Sequence, residues 1–252
     1  VGEIERLWRA WTGAGRPEAV LATVVRTAGS TLRRAGARLL LLPGGEAEGF
    51  VSAGCVEADL AGHAGEVMAT GAPRLVSYDP HALDDPVFGF GMGCRGTLHL
   101  LLERLPGPGA ELLGWLVELR RRRVRAAVVT AVSGDALGRR LVVTGDGEAR
   151  PVPEGTPWPE AARRAAEVAL AGSAEPAPGG FAVEVVEPPP QLVVAGTGAV
   201  AAALVRQGLL MGWEVGAVAT RPEPLAAEPF TRIRRETGTG VAPLERLILD
   251  HR

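Results

Sequence analysis

The chain has 252 residues, a formal net charge of -2, 46% hydrophobic and 22% charged residues, which describes a globular protein with room for one large core or two small ones. No apolar run approaches the ~18 residues of a membrane span, and the near-neutral charge argues against nucleic acid as a partner. All 27 basic residues are arginine, so no lysine is present to form a Schiff base or to serve a P-loop, which removes aldolase-type and kinase-type chemistry.

The first residues, Val1-Gly2-Glu3-Ile4-Glu5-Arg6, lack a basic region followed by an apolar stretch, so no secretory signal is read there. With two cysteines in the chain, a reducing, cytoplasmic setting with free thiols is expected. Residues 3–12 predict a short helix with Ile4, Leu7, Trp8 and Trp11 on one face. AVLATVVRTAGS reads as a buried strand ending in a Gly-Ser turn, and ARLLLLPGG as a second strand closed by Pro-Gly-Gly. The turn between them, Gly29 to Gly36, holds Ser30, Thr31, Arg33 and Arg34. Arginine forks suit phosphate, and the same composition also fits a solvated hairpin loop.

A helix is predicted from Cys55 to Thr70, because Val56, Leu60, Ala64, Val67 and Met68 step by three and four and Gly71 stops it. Cys55 falls at its N-terminus, where helix-end amides lower a thiol pKa, while Glu57 works the other way. PRLVSY is a strand, followed by a loop rich in Asp and Pro. TLHLLLERL is another strand. Just before it, FGFGMGCRGT (88–97) spells G-x-G-x-x-G over Gly91–Gly96. A strand follows it rather than a helix, so the dinucleotide reading fails on context. What remains is a glycine loop presenting backbone amides, Gly93 among them, and the Cys94 thiol. A lone cysteine is most often a small buried hydrophobe; two of them set among glycine and polar residues leave both that reading and a functional one open. Two cysteines and four scattered histidines give no CxxC or HxxxH pair, so zinc is not expected. There is no G-x-S-x-G. Arg120–Arg123 follows an apolar helical pattern (Leu112, Leu113, Leu116, Leu119) and reads as a solvated helix end, where cations suit the dipole, with an anion or protein dock as the alternative.

AAVVTAVSGDALGRRLVVTGDGEAR (126–150) parallels ATVVRTAGSTLRRAGARLLLLPGGEAE (22–48), with Arg140-Leu141 matching Arg38-Leu39 and Gly147-Glu148-Ala149 matching Gly45-Glu46-Ala47. Both stretches read strand, strand, helix, strand, which predicts a duplicated β-β-α-β unit at about 20–79 and 125–187; chance likeness between two compositionally similar segments is the rival. The second stretch has neither a cysteine nor the arginine turn, so the features confined to the first are candidates for function.

EPPPQ (187–191) marks a boundary, dividing residues 1–186 from 191–252. Beyond it Gly196-Thr197-Gly198-Ala199-Val200-Ala201 follows a strand and opens a helix, the context in which G-x-G-x-x-A has a mechanism: Gly196 turns the chain, Gly198 admits close approach, and Ala201 lets the helix pack on its strand. A Rossmann-like unit is expected, shorter than a full doubly wound domain. The acid that would bind a ribose is missing at Ala219-Thr220-Arg221, with none until Glu223. Arg221 suits a 2'-phosphate, so NAD(P) binding stays open beside a Rossmann-like fold without any dinucleotide. The fold class expected for the whole chain is α/β, a duplicated N-terminal domain followed by this short unit.

Four segments in this order, ATVVRTAGSTLRRAGARLLLLPGG, GFVSAGCVEADL, FGFGMGCRGTLHLLLE and LVVAGTGAVAAAL, resemble the XdhC/CoxI family of accessory proteins for xanthine dehydrogenase and carbon monoxide dehydrogenase. The resemblance implies a cytoplasmic chaperone of bacterial type, non-catalytic or weakly catalytic, with Cys55 and Cys94 as the candidate thiols. Such a protein would bind molybdenum cofactor (molybdopterin), present it to a cysteine desulfurase-type sulfurase, and hand it to a molybdenum hydroxylase apoenzyme. It implies that Cys55 and Cys94 are the family's motif cysteines, facing the molybdenum, and that Arg33, with Ser30 and the turn amides, holds the cofactor phosphate; Glu57 and Gly93, beside the two thiols, are read as cofactor-binding with them. Leu32, Ala53 and Arg95 depart from the family's usual residues, and the C-terminal part is short, leaving a sheet edge that a second copy could cover in a homodimer. An NAD(P)-dependent oxidoreductase is the rival function.

Overall fold

The computed structural model of the chain describes residues 2–79, 96–172 and 179–248, without the Cys55 side chain. Helix α1 (Glu3–Gly13) leads into β1 (Ala19–Ala28), β2 (Arg38–Leu41), β3 (Ala47–Gly49), α2 (Cys55–Thr70), β4 (Arg74–Tyr78) and β5 (Thr97–Leu105). After α3 (Pro108–Arg121) come β6 (Ala126–Ala131), β7 (Arg140–Thr144), β8 (Ala149–Val152), α4 (Glu160–Leu170) and β9 (Phe181–Val186). The chain then runs through β10 (Gln191–Ala195), α5 (Ala199–Leu210), β11 (Glu214–Ala219), β12 (Arg234–Thr237) and α6 (Ala242–Glu245).

Two antiparallel sheets, β3-β2-β1-β5-β4 and β8-β7-β6-β9, face each other. β1 and β6 read as continuous apolar runs because both of their faces are covered. Val20, Ala22 and Val24 pack with Val56, Leu60 and Val67 of α2, while Leu21 lies in the intersheet core with Val128 and Val142. On the far side Ala127 and Val129 pack with Ala162 and Ala166 of α4. Helices α1 and α3 close one end of the intersheet space through Leu7, Trp11, Leu113 and Leu116.

The two sheets repeat one another in detail. Arg38 stands opposite Thr23 and Arg140 opposite Thr130. The hairpins end alike: Val24 and Gly36 are hydrogen-bonded in one, Ala131 and Gly138 in the other. Both second turns close with the same bond, Leu42 N–H to Glu46 carbonyl at 2.8 Å and Thr144 N–H to Glu148 carbonyl at 2.9 Å. The third strands β3 and β8 go beyond the two-strand hairpins predicted from sequence. The strand in the place of β9, antiparallel to the first strand of its unit, is β5, which lies beyond residue 79; β4 is an added edge strand. The hairpins differ in one respect. Residues 24–37 connect the first pair, whereas 131–139 suffice in the second, and the extra length is the turn with Ser30, Arg33 and Arg34.

The last part is a three-stranded parallel sheet in the order β10-β11-β12. Its core is Val194, Ala201, Val205, Val215 and Ala217. The arginine run at the end of α3 is not simply solvated. Arg120 Nε donates to Glu5 at 2.8 Å and its Nη1 to the Glu187 carbonyl at 2.6 Å. Arg123, 6% exposed at its side chain, donates to the Pro189 carbonyl at 3.0 Å and to Glu214 at 2.5 Å. Two of the four arginines therefore fasten the proline linker and the C-terminal sheet to the body.

Candidate functional site

The sheet topology gathers the sequence motifs at one edge. In an antiparallel sheet, the end of one strand lies beside the start of its neighbour. Ala28 at the end of β1 pairs with Thr97 at the start of β5, Leu39 with Gly49 at the end of β3, and Leu98 with Tyr78 at the end of β4. The turn after Ala28, the segment from Phe50 to Gly54, and both ends of the 79–96 connection thus leave the same end of the five-stranded sheet. Gly96 packs tightly there. A Cβ on it would lie 2.5 Å from Thr31 Cγ2, 2.6 Å from the Ser30 carbonyl oxygen and 2.7 Å from that of Ala28. Only glycine allows the chain to re-enter the sheet against this turn.

Arg33 is half-buried. Its guanidinium carbon lies 4.4 Å from the Phe50 ring centroid, and its Nη2 donates to Glu3. Arg33 Nε is shut off from solvent with no hydrogen-bond partner among the described residues. Thr31 Oγ1 donates to the Arg33 carbonyl at 2.8 Å and stiffens the turn. Ser30 is exposed at the tip. Glu3, Arg33, Arg34 and Arg38 line an open cavity of about 640 Å³, whose far wall is Glu184–Glu187, the linker prolines, Met211 and Trp213.

Cys55 occupies the first residue of α2. Glu57 is directed into the start of its own helix. Its Oε1 accepts from the backbone N–H of Val51 at 2.9 Å and of Ser52 at 2.7 Å, its Oε2 from Gly54 N–H at 3.0 Å and from Ser52 Oγ. Burial pushes its pKa up, but the Ser52 and Val51 hydrogen bonds outweigh this and hold it below the usual carboxylate value. Gly93 and Cys94 lie outside the described residues. Among the described residues no group of three His, Cys, Asp or Glu side chains is placed to hold a metal, and no helix is long and apolar enough to cross a membrane.

A second cavity, of about 470 Å³, sits at the carboxyl ends of β10, β11 and β12. Gly196, with φ +111°, and Thr197 form one wall; Thr220, Arg221, Gly238, Thr239 and Gly240 form the others. Gly198 precedes α5, and Ala201 is buried against the sheet. No carboxylate lines this cavity among the described residues.

Sequence reasoning missed Glu3 and Phe50. An acid in the first turn of a helix has an ordinary explanation in the helix dipole, and an exposed phenylalanine in a loop carries no periodic signal. Only contact with Arg33 marks either one.

Comparison with known proteins bears out the family resemblance. Residues 11–79 match the model of the XdhC and CoxI family. Over 88 residues the chain is 40% identical to a probable xanthine dehydrogenase subunit of Bacillus subtilis, covering 35% of this chain and 27% of that protein. Over 105 residues it is 36% identical to the molybdenum cofactor insertion chaperone PaoD of Escherichia coli, covering 42% of this chain and 32% of that one. The chain thus spans about a third or less of these relatives' lengths. Its fold matches the crystal structure of a xanthine dehydrogenase from Bacillus halodurans with a TM-score of 0.76, at 23% identity, over 99% of this chain and 72% of that one.

Proposed function

We propose, from the match of residues 11–79 to the XdhC and CoxI family, that the chain is a non-catalytic accessory protein that carries molybdenum cofactor. In this reading it holds the molybdopterin in a reducing cytoplasm while a sulfurase acts on it, and passes it to a molybdenum hydroxylase such as xanthine dehydrogenase. The observation that carries the reading is the convergence of three motif-bearing segments on one end of the five-stranded sheet, with Gly96 packed against the arginine turn. The residues fit a phosphate-bearing cofactor: the Arg33 fork has an unmet Nε–H, and guanidinium forks match phosphate oxygens. Cys55 and Cys94 are the proposed soft ligands toward molybdenum, and Ser30 a further phosphate donor. Glu57 supports the site by fixing the start of α2, the helix that begins with Cys55.

The near-identity of pairing in the two sheets supports descent of both from one duplicated unit, and the arginine turn is then an insertion specific to the first copy. A homodimer is also part of the proposal. The parallel sheet ends on the edge strand β12, and α5 leaves Val200, Leu204 and Leu210 exposed.

The test is cofactor retention after purification from cells that make molybdopterin, compared for the unaltered chain, Cys55→Ser and Cys94→Ser. Loss of cofactor is the expected result; unchanged retention in both variants rejects the ligand role.

The second reading, an NAD(P)-dependent oxidoreductase, draws on the cavity at the Gly196 turn, where Arg221 faces no competing carboxylate. It predicts nicotinamide dinucleotide binding that Gly198→Val abolishes. A Cβ at Gly198 meets nothing within 4 Å, and thermal unfolding of the variant checks that the fold persists.

A further inference from the structure

We infer that Glu3 occupies the position of a ligand phosphate: Arg33 and the Arg38 backbone N–H form an anion site that the first turn of α1 closes and a phosphate-bearing ligand opens. The inference rests on the reading of Arg33 as the phosphate-binding residue and adds how access to it is controlled.

The Glu3 carboxylate is divided between two donors. Oε1 accepts from the Arg38 backbone N–H at 3.1 Å, and Oε2 accepts from Arg33 Nη2. In this arrangement Arg33 Nε is left desolvated and unpartnered among the described residues. A buried donor without an acceptor calls for an explanation. A phosphate supplies it. With a tetrahedral set of oxygens it can meet Nε and Nη2 as a fork and keep an oxygen for the Arg38 N–H. The two-oxygen carboxylate serves two of these three donors and leaves the third unmet.

The surroundings allow the exchange. The three groups border the open cavity of about 640 Å³, a volume within the range of small-molecule and cofactor sites. Arg34 lines the same cavity, is exposed, and its side chain makes no ion pair or hydrogen bond among the described residues; it is a second cation for a ligand with more than one negative charge. Phe50 stacks on the Arg33 guanidinium and keeps it in place when Glu3 leaves. Glu3 is the first residue of α1, so its side chain can swing out of the site while Ile4 stays in the core and Glu5 keeps Arg120.

The experiment is calorimetric titration of the whole chain with inorganic pyrophosphate at fixed ionic strength. Glu3→Gln keeps an acceptor oxygen for the Arg38 N–H while removing the competing charge. It is expected to bind pyrophosphate about tenfold more tightly than the unaltered chain, a gap of about 1.4 kcal/mol, with Glu3→Ala behaving alike. Glu46→Gln, on the exposed hairpin, removes one charge elsewhere and is expected to change nothing. Thermal unfolding of each variant confirms that the fold persists. If both Glu3 variants bind no more tightly than the unaltered chain, or if Glu46→Gln gains as much, the inference is overturned while Arg33 keeps its role. If Arg33→Gln binds pyrophosphate as well as the unaltered chain does, the phosphate reading of Arg33 itself fails. Absence of binding by every form overturns both.

Discussion

Arg140 of β7 reaches across to Glu103 of β5, on the opposite sheet, with Nη1 2.7 Å from Oε1 and the side chain 1% exposed. Arg38 of β2 does the same in reverse, pairing with Glu184 of β9. Each arginine also donates to the carbonyl two residues before it, Gly138 at 2.8 Å and Gly36 at 2.7 Å. Two similarly paired sheets are thus cross-bolted by two ion pairs, beside the buried Thr23 and Thr130, in a mostly apolar interface.

Breaking one pair strands a buried charge. Burial by itself would depress the Arg140 pKa, but the charge and hydrogen bonds of Glu103, with Glu184 adding to them, outweigh this and raise it. Glu103→Gln is expected to lower the unfolding free energy by about 3–5 kcal/mol, because Arg140 stays charged without its partner. Replacing both, Arg140→Met with Glu103→Leu, is expected to recover most of that loss. Urea titrations of the three variants measure it, and a single variant within about 1 kcal/mol of the unaltered chain would show that the pair does not hold the sheets.

Glu57 gives a pH-dependent signature. Its pKa is lowered on folding, so its contribution is complete above the unfolded value and disappears as pH falls through the folded one. Glu57→Gln is expected to cost about 1–2 kcal/mol at pH 7. That gap should close as pH falls from the ordinary carboxylate range through the lowered folded value, where the unaltered carboxyl is itself protonated. A gap that is constant from pH 7 to pH 3 contradicts the assignment.

Gly96→Ala would place a methyl group 2.6 Å and 2.7 Å from two backbone oxygens of the arginine turn. Backbone cannot swing aside as a flexible side chain can. The variant should lose about 1–3 kcal/mol and, if the proposed function holds, should retain less cofactor than the unaltered chain. Retention measured beside thermal stability separates the two effects.

Arg123 ties the linker carbonyl of Pro189 and Glu214 to the end of α3. Arg123→Met is expected to loosen the C-terminal sheet from the body. Trypsin should then cut within the C-terminal unit, at the exposed Arg206 and Arg234, several times faster, as expected for a region of low local stability. Cleavage at the rate of the unaltered chain would show that the linker is held by something else.

Much of the secondary structure was legible because periodicity reports which face of an element is covered. The α2 pattern from Val56 to Met68 and its stop at Gly71, with φ +70°, stand as read. β3 and β8 were not separated from their turns, being short and half-exposed. β12 was missed because Arg234-Arg235-Glu236-Thr237 has no apolar run; it is a strand through its pairing with β11. The candidate site was legible as motifs, since Arg33 and Cys55 stand in turns and helix starts that glycine punctuates. Glu57 is the instructive case. Its spacing from Cys55 marked it as a neighbour of the thiol, whereas its hydrogen bonds commit the carboxylate to the helix start.

The sequence alone determined the helices and strands with apolar stripes, the arginine turn confined to one half, the glycine turn at 196–198, and the likeness of residues 11–79 to one family. These are local properties, written in spacing and in residue types that tolerate few backbone conformations. Only the tertiary structure decided that Arg38 finds Glu184, that Arg123 grips Glu214, and that Glu3 covers the arginine turn. Ion pairs between residues far apart in the chain depend on how covered faces are packed against each other, and no periodicity along one element records what lies across the interface.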